Sequence, residues 1–231
     1  MTWFRNDPPL VLERTQGLGG EIQLQKRGEH FEIIYNGVFL MATYNGLSER
    51  LMVRRALELL GPERECRVLI GGLGVGYSLQ EALLWPRVKA VKVVEIEPAV
   101  VRWNRTYLKE INGRALEDRR LAVEEEALER VLERPEEAGR WDLIVVDTDN
   151  GSSWLSRPAN RRLYQIPGLQ ALNRCLCPGG WVSFWSSRPE ADLEARLKQC
   201  FRRVLREEVL EETGQAAYFY LACQKDDREG R

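Results

Sequence analysis

The sequence predicts an α/β protein built on a parallel β-sheet, and three features of its 231 residues indicate that class. Short apolar segments alternate with amphipathic helical segments after residue 61. A glycine cluster follows the first apolar segment, and acidic residues follow two later ones. Strands that alternate with helices form parallel sheets, which bind ligands beyond the carboxyl ends of their strands.

The composition is that of a folded protein without a strong charge bias. Hydrophobic residues make up 44% of the chain, and 34 Lys and Arg against 35 Asp and Glu give a formal net charge of -1. A disordered chain would be less apolar and more highly charged. A nucleic-acid-binding protein would show a basic excess, so we expect no nucleic-acid partner.

Location and metal content are also predicted from the residue pattern. The first 16 residues contain no apolar run of a secretion signal, and no stretch approaches the roughly 18 apolar residues of a membrane span. Five cysteines and a single histidine, His30, leave a zinc site short of ligands. We therefore expect a cytoplasmic protein with reduced thiols, no membrane partner and no metal.

The N-terminal region predicts a small β-meander. Apolar and polar residues alternate over 21–43, and Asn36-Gly37 is a strong hairpin signal. A few strands alone are marginally stable, so this region must pack on the rest of the chain, on a second copy, or on both. We divide the chain into this meander, residues 1–46, and a nucleoside-binding domain, residues 47–231.

The second domain alternates helices with strands. Ser48 can cap its first helix, which Gly61-Pro62 ends, and Pro98 begins the third helix. The predicted helices cover 48–60, 78–84, 98–108, 127–133, 168–176 and 192–201. The predicted strands cover 67–70, 90–95, 120–123, 141–147, 181–185, 203–209 and 217–223. The last two strands would form a closing antiparallel pair.

A glycine loop joins the strand at 67–70 to the next helix. Its sequence is Gly71-Gly72-Leu73-Gly74-Val75-Gly76, and such a loop lets the backbone approach a ligand while the helix N–H groups face it. A dinucleotide fingerprint would carry glycine or alanine at Leu79, so the loop favours S-adenosylmethionine or a derivative over NAD. A glycine-rich turn without a ligand is the alternative interpretation.

An acid follows the next strand at the spacing expected for ribose binding. Glu95 lies 19 residues after Gly76, close to the roughly 20-residue offset of a ribose-binding acid. Its carboxylate could accept hydrogen bonds from two vicinal hydroxyls. In the alternative interpretation a strand-end acid caps the following helix, a role that Glu97 could fill instead.

Two further acids follow the most apolar strand, at 141–147. Asp147-Thr148-Asp149-Asn150-Gly151 places two carboxylates and an amide at the carboxyl end of that strand. Asp147 could remove a proton from an amine so that its nitrogen attacks an electrophilic carbon, and Asp149 could orient the amine by its charge. Because Asp, Asn and Gly favour turns, a turn without a catalytic role is the alternative.

These segments together resemble the spermidine synthase (polyamine aminopropyltransferase) family. The resemblance covers roughly residues 30–225 and is carried by VLIGGLGVG (68–76), VVEIEP (93–98), WDLIVVDTDN (141–150) and LCPGGWVSFWS (176–186). It implies the class I methyltransferase fold, which is a Rossmann-like, seven-stranded, mostly parallel sheet with helices on both faces. It also implies a homodimer and a small-molecule amine acceptor.

The resemblance also implies a set of site residues. In the family an acid-alanine pair near the adenine matches Glu126-Ala127, and the strand-end aspartate that deprotonates the amine matches Asp147. The residues expected to bind the cofactor are Gly71, Gly72, Gly74, Gly76, Glu95, Ile96, Glu126 and Ala127. The residues expected to act in catalysis are Asp147 and Asp149.

Two departures from the family concern the donor amine and the acceptor. Gly74 stands where the family has an aspartate that helps to hold the aminopropyl amine, and Met52-Val53-Arg54 stands where it has Tyr-His-Glu. Three functions therefore stay open. The first is aminopropyl transfer from decarboxylated S-adenosylmethionine, with methylthioadenosine as product. The second is methyl transfer from S-adenosylmethionine, and the third is nucleoside binding without catalysis.

Overall fold

A computed structural model of the chain describes residues 8–224, and its N-terminal part is a four-stranded antiparallel sheet. The strands are β1 (Leu10–Gly17), β2 (Gly20–Arg27), β3 (His30–Tyr35) and β4 (Val38–Ala42), paired in that order. The predicted meander is confirmed. Its first strand was not predicted, because β1 has no fully buried residue and gives little apolar alternation.

The second sheet has seven strands in the order β10-β11-β9-β8-β5-β6-β7. These strands are β5 (Cys66–Gly71), β6 (Val88–Val94), β7 (Leu121–Glu124), β8 (Trp141–Val146), β9 (Leu176–Ser186), β10 (Arg203–Leu210) and β11 (Ala216–Cys223). Strands β5 to β9 are parallel, and β11 runs antiparallel between β9 and β10. The predicted fold class is therefore confirmed.

Helices cover both faces of the larger sheet. They are α1 (Leu47–Leu59), α2 (Tyr77–Leu83), α3 (Pro98–Arg105), α4 (Leu128–Leu132), α5 (Ile166–Cys175) and α6 (Ala191–Cys200). In the central strand β8 all six residues are buried, and successive side chains enter opposite cores. Helices α1 to α3 pack on one core and α4 to α6 on the other. Within residues 8–224, every helix is too short or too polar to span a membrane.

The meander packs on the face that carries α1 to α3. Four of its buried side chains, Ile22, Leu24, Ile33 and Tyr35, belong to the same apolar core as these helices. This contact explains how a small sheet is stabilised, because a few strands alone bury too little apolar area. The division of the chain at residues 46 and 47 stays a proposal.

The prediction that Ser48 caps the first helix is wrong. Helix α1 begins after Gly46, and no side chain at its own start caps it. The acceptors come instead from Glu211, beyond β10, whose carboxylate accepts hydrogen bonds from the N–H groups of Gly46, Leu47 and Ser48 at 3.2, 3.1 and 2.8 Å. A carboxylate at this position also complements the positive end of the helix dipole.

Replacing Glu211 with alanine should lower the free energy of unfolding by about 1–3 kcal/mol, because three helix-start N–H groups lose their acceptor. Urea unfolding followed by circular dichroism measures this difference. Glu212→Ala is the matched control, since the neighbouring Glu212 is exposed. Equal stability of the two variants would show that Glu211 does not cap α1.

Candidate active site

A cavity of about 520 Å³ lies at the carboxyl ends of β5, β6 and β8. Strand order reverses at β5, so this is the switch point at which open α/β sheets bind ligands. The meander, the start of α1 and the β10–β11 hairpin complete its walls. Eight of the ten predicted site residues line it: Gly72, Gly74, Glu95, Ile96, Glu126, Ala127, Asp147 and Asp149.

The glycine loop makes close contact with two neighbouring segments. Gly72 has φ +91°, and a Cβ there would strike the carbonyl oxygen of Asp147. Gly74 has φ +51°, and a Cβ there would strike the sulfur of Met41 on β4. Both backbone conformations favour glycine. Packing against the rest of the protein is therefore one reason why the loop is glycine-rich.

The two other predicted glycines do not line the cavity. A Cβ on Gly71 would meet the side chain of Leu128, and one on Gly76 would crowd Asn104 and Asn112. Gly76 also directly precedes α2, as its N-cap residue, and has φ +89°. In the structure both residues allow close packing of the loop and helix that border the site.

Glu95 ties two loops of the cavity together. Its two oxygens accept hydrogen bonds from the N–H groups of Leu73 in the glycine loop and of Glu97, each at 2.8 Å. Only 7% of Glu95 is exposed, and this burial raises the pKa of its carboxyl. A carboxylate can accept about four hydrogen bonds, so acceptor positions remain for ribose hydroxyls. Glu95 can thus be structural and bind a ligand at once.

Glu97 holds the meander onto the larger sheet. Its carboxylate accepts hydrogen bonds from the N–H of Leu18 at 3.0 Å and from the hydroxyl of Tyr35 at 3.2 Å. Burial, together with the charge of Glu97, raises the pKa of Tyr35 to about 12. The prediction that Glu97 could cap the helix after β6 is wrong, because its side chain makes no capping hydrogen bond at α3.

Asp149 organises the loop after β8. Its carboxylate accepts hydrogen bonds from the N–H and hydroxyl of Ser156, the amide of Asn160 and the hydroxyls of Thr148 and Tyr164. These five donors use every acceptor position of a carboxylate. Any effect of Asp149 on an amine would therefore act through its charge. Burial raises the pKa of Asp147, and the charge of Asp149 raises it further.

Asp147 and Glu49 have fewer partners. Asp147 accepts one hydrogen bond, from the hydroxyl of Ser78 at 3.0 Å, and Glu49 accepts one from the hydroxyl of Ser48 at 2.7 Å and one from its own backbone N–H. Burial raises the pKa of both carboxyls, and the charge of Asp147 raises that of Glu49 further. Sequence reasoning missed Glu49, because nothing in its local sequence shows that it faces Asp147.

The cavity is strongly acidic. Eight carboxylates line it, and among the described residues Arg157 is the one basic side chain that does so. Arg157 lies 3.8 Å from Glu129 and so is paired with one of the eight. A cleft lined by one sign of charge concentrates ligands of the opposite sign. Within residues 8–224 no group of three or more His, Cys, Asp and Glu side chains could hold a metal ion.

Fold and site together define a Rossmann-like α/β protein with an acidic ligand site at its switch point. The family model described as the spermine/spermidine synthase domain matches residues 51–207. The chain belongs to the spermine/spermidine synthase domain family, and the predicted resemblance is confirmed.

Individual relatives agree with this assignment. A polyamine aminopropyltransferase of Prochlorococcus marinus strain MIT 9215 is 25% identical over 186 residues, which are 76% of this chain and 64% of the relative. The chain thus spans less than two thirds of the length of that relative. A spermidine synthase from Thermotoga maritima has a TM-score of 0.77 at 17% identity, over 94% of this chain and 74% of the other. A spermidine synthase in complex with the transition-state analogue AdoDATO has a TM-score of 0.78 at 17% identity, over 94% and 73%.

Replacing Asp149 with asparagine should lower the free energy of unfolding by about 1–3 kcal/mol, because an amide group would face donors that now bind a carboxylate. Urea unfolding measures the change. Asp192→Asn, at an exposed position of α6, should change stability by less than about 0.5 kcal/mol. An Asp149→Asn variant as stable as this control would contradict the structural role of Asp149.

Proposed function

We propose that the chain is an aminopropyltransferase, which moves the aminopropyl group of decarboxylated S-adenosylmethionine to a small amine and releases methylthioadenosine. The observation that carries this proposal is the acidic cavity at the switch point of the sheet, in which Asp147 has no basic partner among the described residues. Such a cavity favours amines that enter as cations. Membership of the spermine/spermidine synthase family supports the same reaction.

The residues that line the cavity suit the adenosine part of the donor. Glu95 retains acceptor positions for ribose hydroxyls, and Ile96, Ala127 and Leu128 offer apolar surface beside the carboxylate of Glu126. Glu126 accepts a hydrogen bond from the N–H of Ala127 at 2.9 Å, which fixes its orientation. The glycine loop borders this region, so the residues predicted for the cofactor fit a nucleoside.

The charge of the cavity favours the decarboxylated donor. Intact S-adenosylmethionine carries a carboxylate, which a site with eight acids and one paired arginine would repel. The decarboxylated form keeps the amine of this part of the molecule and lacks the carboxylate. Methyl transfer and nucleoside binding without catalysis are therefore not favoured. The homodimer and the cytoplasmic location stay predictions.

Asp147 is the proposed general base. An amine enters as an ammonium ion, and Asp147 accepts one of its protons. The nitrogen lone pair then attacks the methylene carbon by which the aminopropyl group is joined to the sulfonium. The bond between this carbon and sulfur breaks, and its electron pair passes to sulfur. A carboxyl whose pKa is raised by burial is a better proton acceptor in this step than an ordinary aspartate.

The direct test supplies decarboxylated S-adenosylmethionine and 1,4-diaminobutane and measures methylthioadenosine by chromatography. We expect product with the wild type, and in Asp147→Asn a turnover lower by about 10²–10⁴-fold with donor affinity little changed. Product formation by the wild type should fall as the pH drops, because the base then carries a proton. This decrease in rate should begin at a pH above the ordinary pKa of an aspartate, since the pKa of Asp147 is raised. A wild-type rate in Asp147→Asn would exclude the base role.

A further inference from the structure

The eight cavity carboxylates differ in their hydrogen-bond and ion-pair partners. Four of them accept hydrogen bonds from the backbone N–H groups of other residues: Glu95, Glu97, Glu126 and Glu211. Glu129 pairs with Arg157, and Asp149 binds five donors. Asp147 accepts one hydroxyl, Glu49 accepts one hydroxyl and its own backbone N–H, and neither pairs with a basic side chain of residues 8–224. These two acids are therefore the ones left for a cation.

Glu49 is buried yet borders the cavity. It lies in the first turn of α1 and is 6% exposed. The Nε1–H of Trp185 donates to the hydroxyl of Ser48 at 2.8 Å, and that hydroxyl donates to Glu49. Since the oxygen of Ser48 accepts from Trp185, its proton is directed to the carboxylate. This chain of hydrogen bonds fixes the position of Glu49.

Two buried acids in such surroundings destabilise one another. The charge of Asp147 raises the pKa of Glu49, and burial raises both. At neutral pH the pair therefore retains a proton that separate, exposed carboxyls would have lost. A cation between them would remove this repulsion and release the proton. An ammonium group suits this task, because it is a cation with three N–H donors and both carboxylates line the same cavity.

We propose that Glu49 is a second carboxylate of the acceptor site, which binds the reactive ammonium jointly with Asp147 and positions its nitrogen for attack. The proposal rests on the proposed aminopropyl transfer. Glu49 holds one N–H of the ammonium while Asp147 accepts the proton that must leave before the nitrogen attacks. Glu49 thus supplies an acid on α1, the helix in which the family's Tyr-His-Glu is replaced by Met52-Val53-Arg54.

Calorimetric titration with 1,4-diaminobutane, in the presence of methylthioadenosine, tests this role. Glu49→Gln should bind the diamine about 10- to 100-fold more weakly, as expected for loss of a hydrogen bond between charged groups. The control is Glu58→Gln, which lies on the same helix, is exposed and pairs with Arg55, and should bind within about twofold of the wild type. Wild-type affinity in Glu49→Gln would overturn the proposal.

A measurement on the wild type keeps the proposal testable if Glu49→Gln folds poorly. Titrations at pH 7 in two buffers of different ionisation enthalpy report the protons released on binding. The wild type should release protons as the diamine enters, and Asp147→Asn should release fewer. No proton release by the wild type would overturn the shared role of the pair.

The unfolding temperature at two pH values gives a further test, because replacing a glutamate that only stabilises the fold would lower this temperature. Burial, with the charges of Asp147 and Glu211, raises the folded-state pKa of Glu49 to about 8, so Glu49 destabilises the fold increasingly as the pH rises from the ordinary pKa of a glutamate to about 8, and the penalty disappears as the pH falls through this range. Glu49→Gln should therefore raise the unfolding temperature at pH 8 and lose this advantage at pH 5. A lower unfolding temperature at pH 8 would contradict the proposal.

Diamine binding through Glu49 without any formation of methylthioadenosine would instead refute the proposed function alone.

Discussion

A buried carboxylate must be hydrogen-bonded or paired, and this requirement determines how the cavity is assembled. Glu95 joins the loops after β5 and β6, Glu97 joins the larger sheet to the meander, and Glu211 joins the β10–β11 hairpin to α1. Each acid accepts hydrogen bonds from backbone N–H groups distant in the sequence or on a neighbouring loop. The acids that make the cavity attractive to cations therefore also hold its walls together.

The meander is part of the site rather than an appendage. Glu97 binds Leu18 and Tyr35 in it, and Gly74 lies against Met41 of β4. A displacement of this small sheet would alter the glycine loop and the loop after β6 together. One carboxylate and one close contact between Gly74 and the side chain of Met41 thus connect the meander to the loops that line the cavity.

The sequence predicted those parts of the structure whose signal is local. The apolar segment that became β8, the glycine cluster and the strand-end acid Asp147 were visible in short stretches of sequence, and Glu95 through its spacing from Gly76. In the structure Gly72, Gly74, Glu95 and Asp147 line the cavity. Glu49 and Glu211 were not predicted, because their roles depend on partners far along the chain. The acceptor for the N–H of Ser48 lies 163 positions away, in an acidic stretch that resembles a solvated surface. Local propensity predicted Ser48 as the cap, and a tertiary contact replaced it.

We propose that the acidic cavity selects a donor without a carboxylate. Calorimetric titration of the wild-type protein with decarboxylated S-adenosylmethionine, with S-adenosylmethionine and with methylthioadenosine tests it most directly. We predict that the decarboxylated donor binds at least about tenfold more tightly than the intact one, a difference of about 1.4 kcal/mol, and that methylthioadenosine also binds. Equal or tighter binding of intact S-adenosylmethionine would contradict the account and favour methyl transfer.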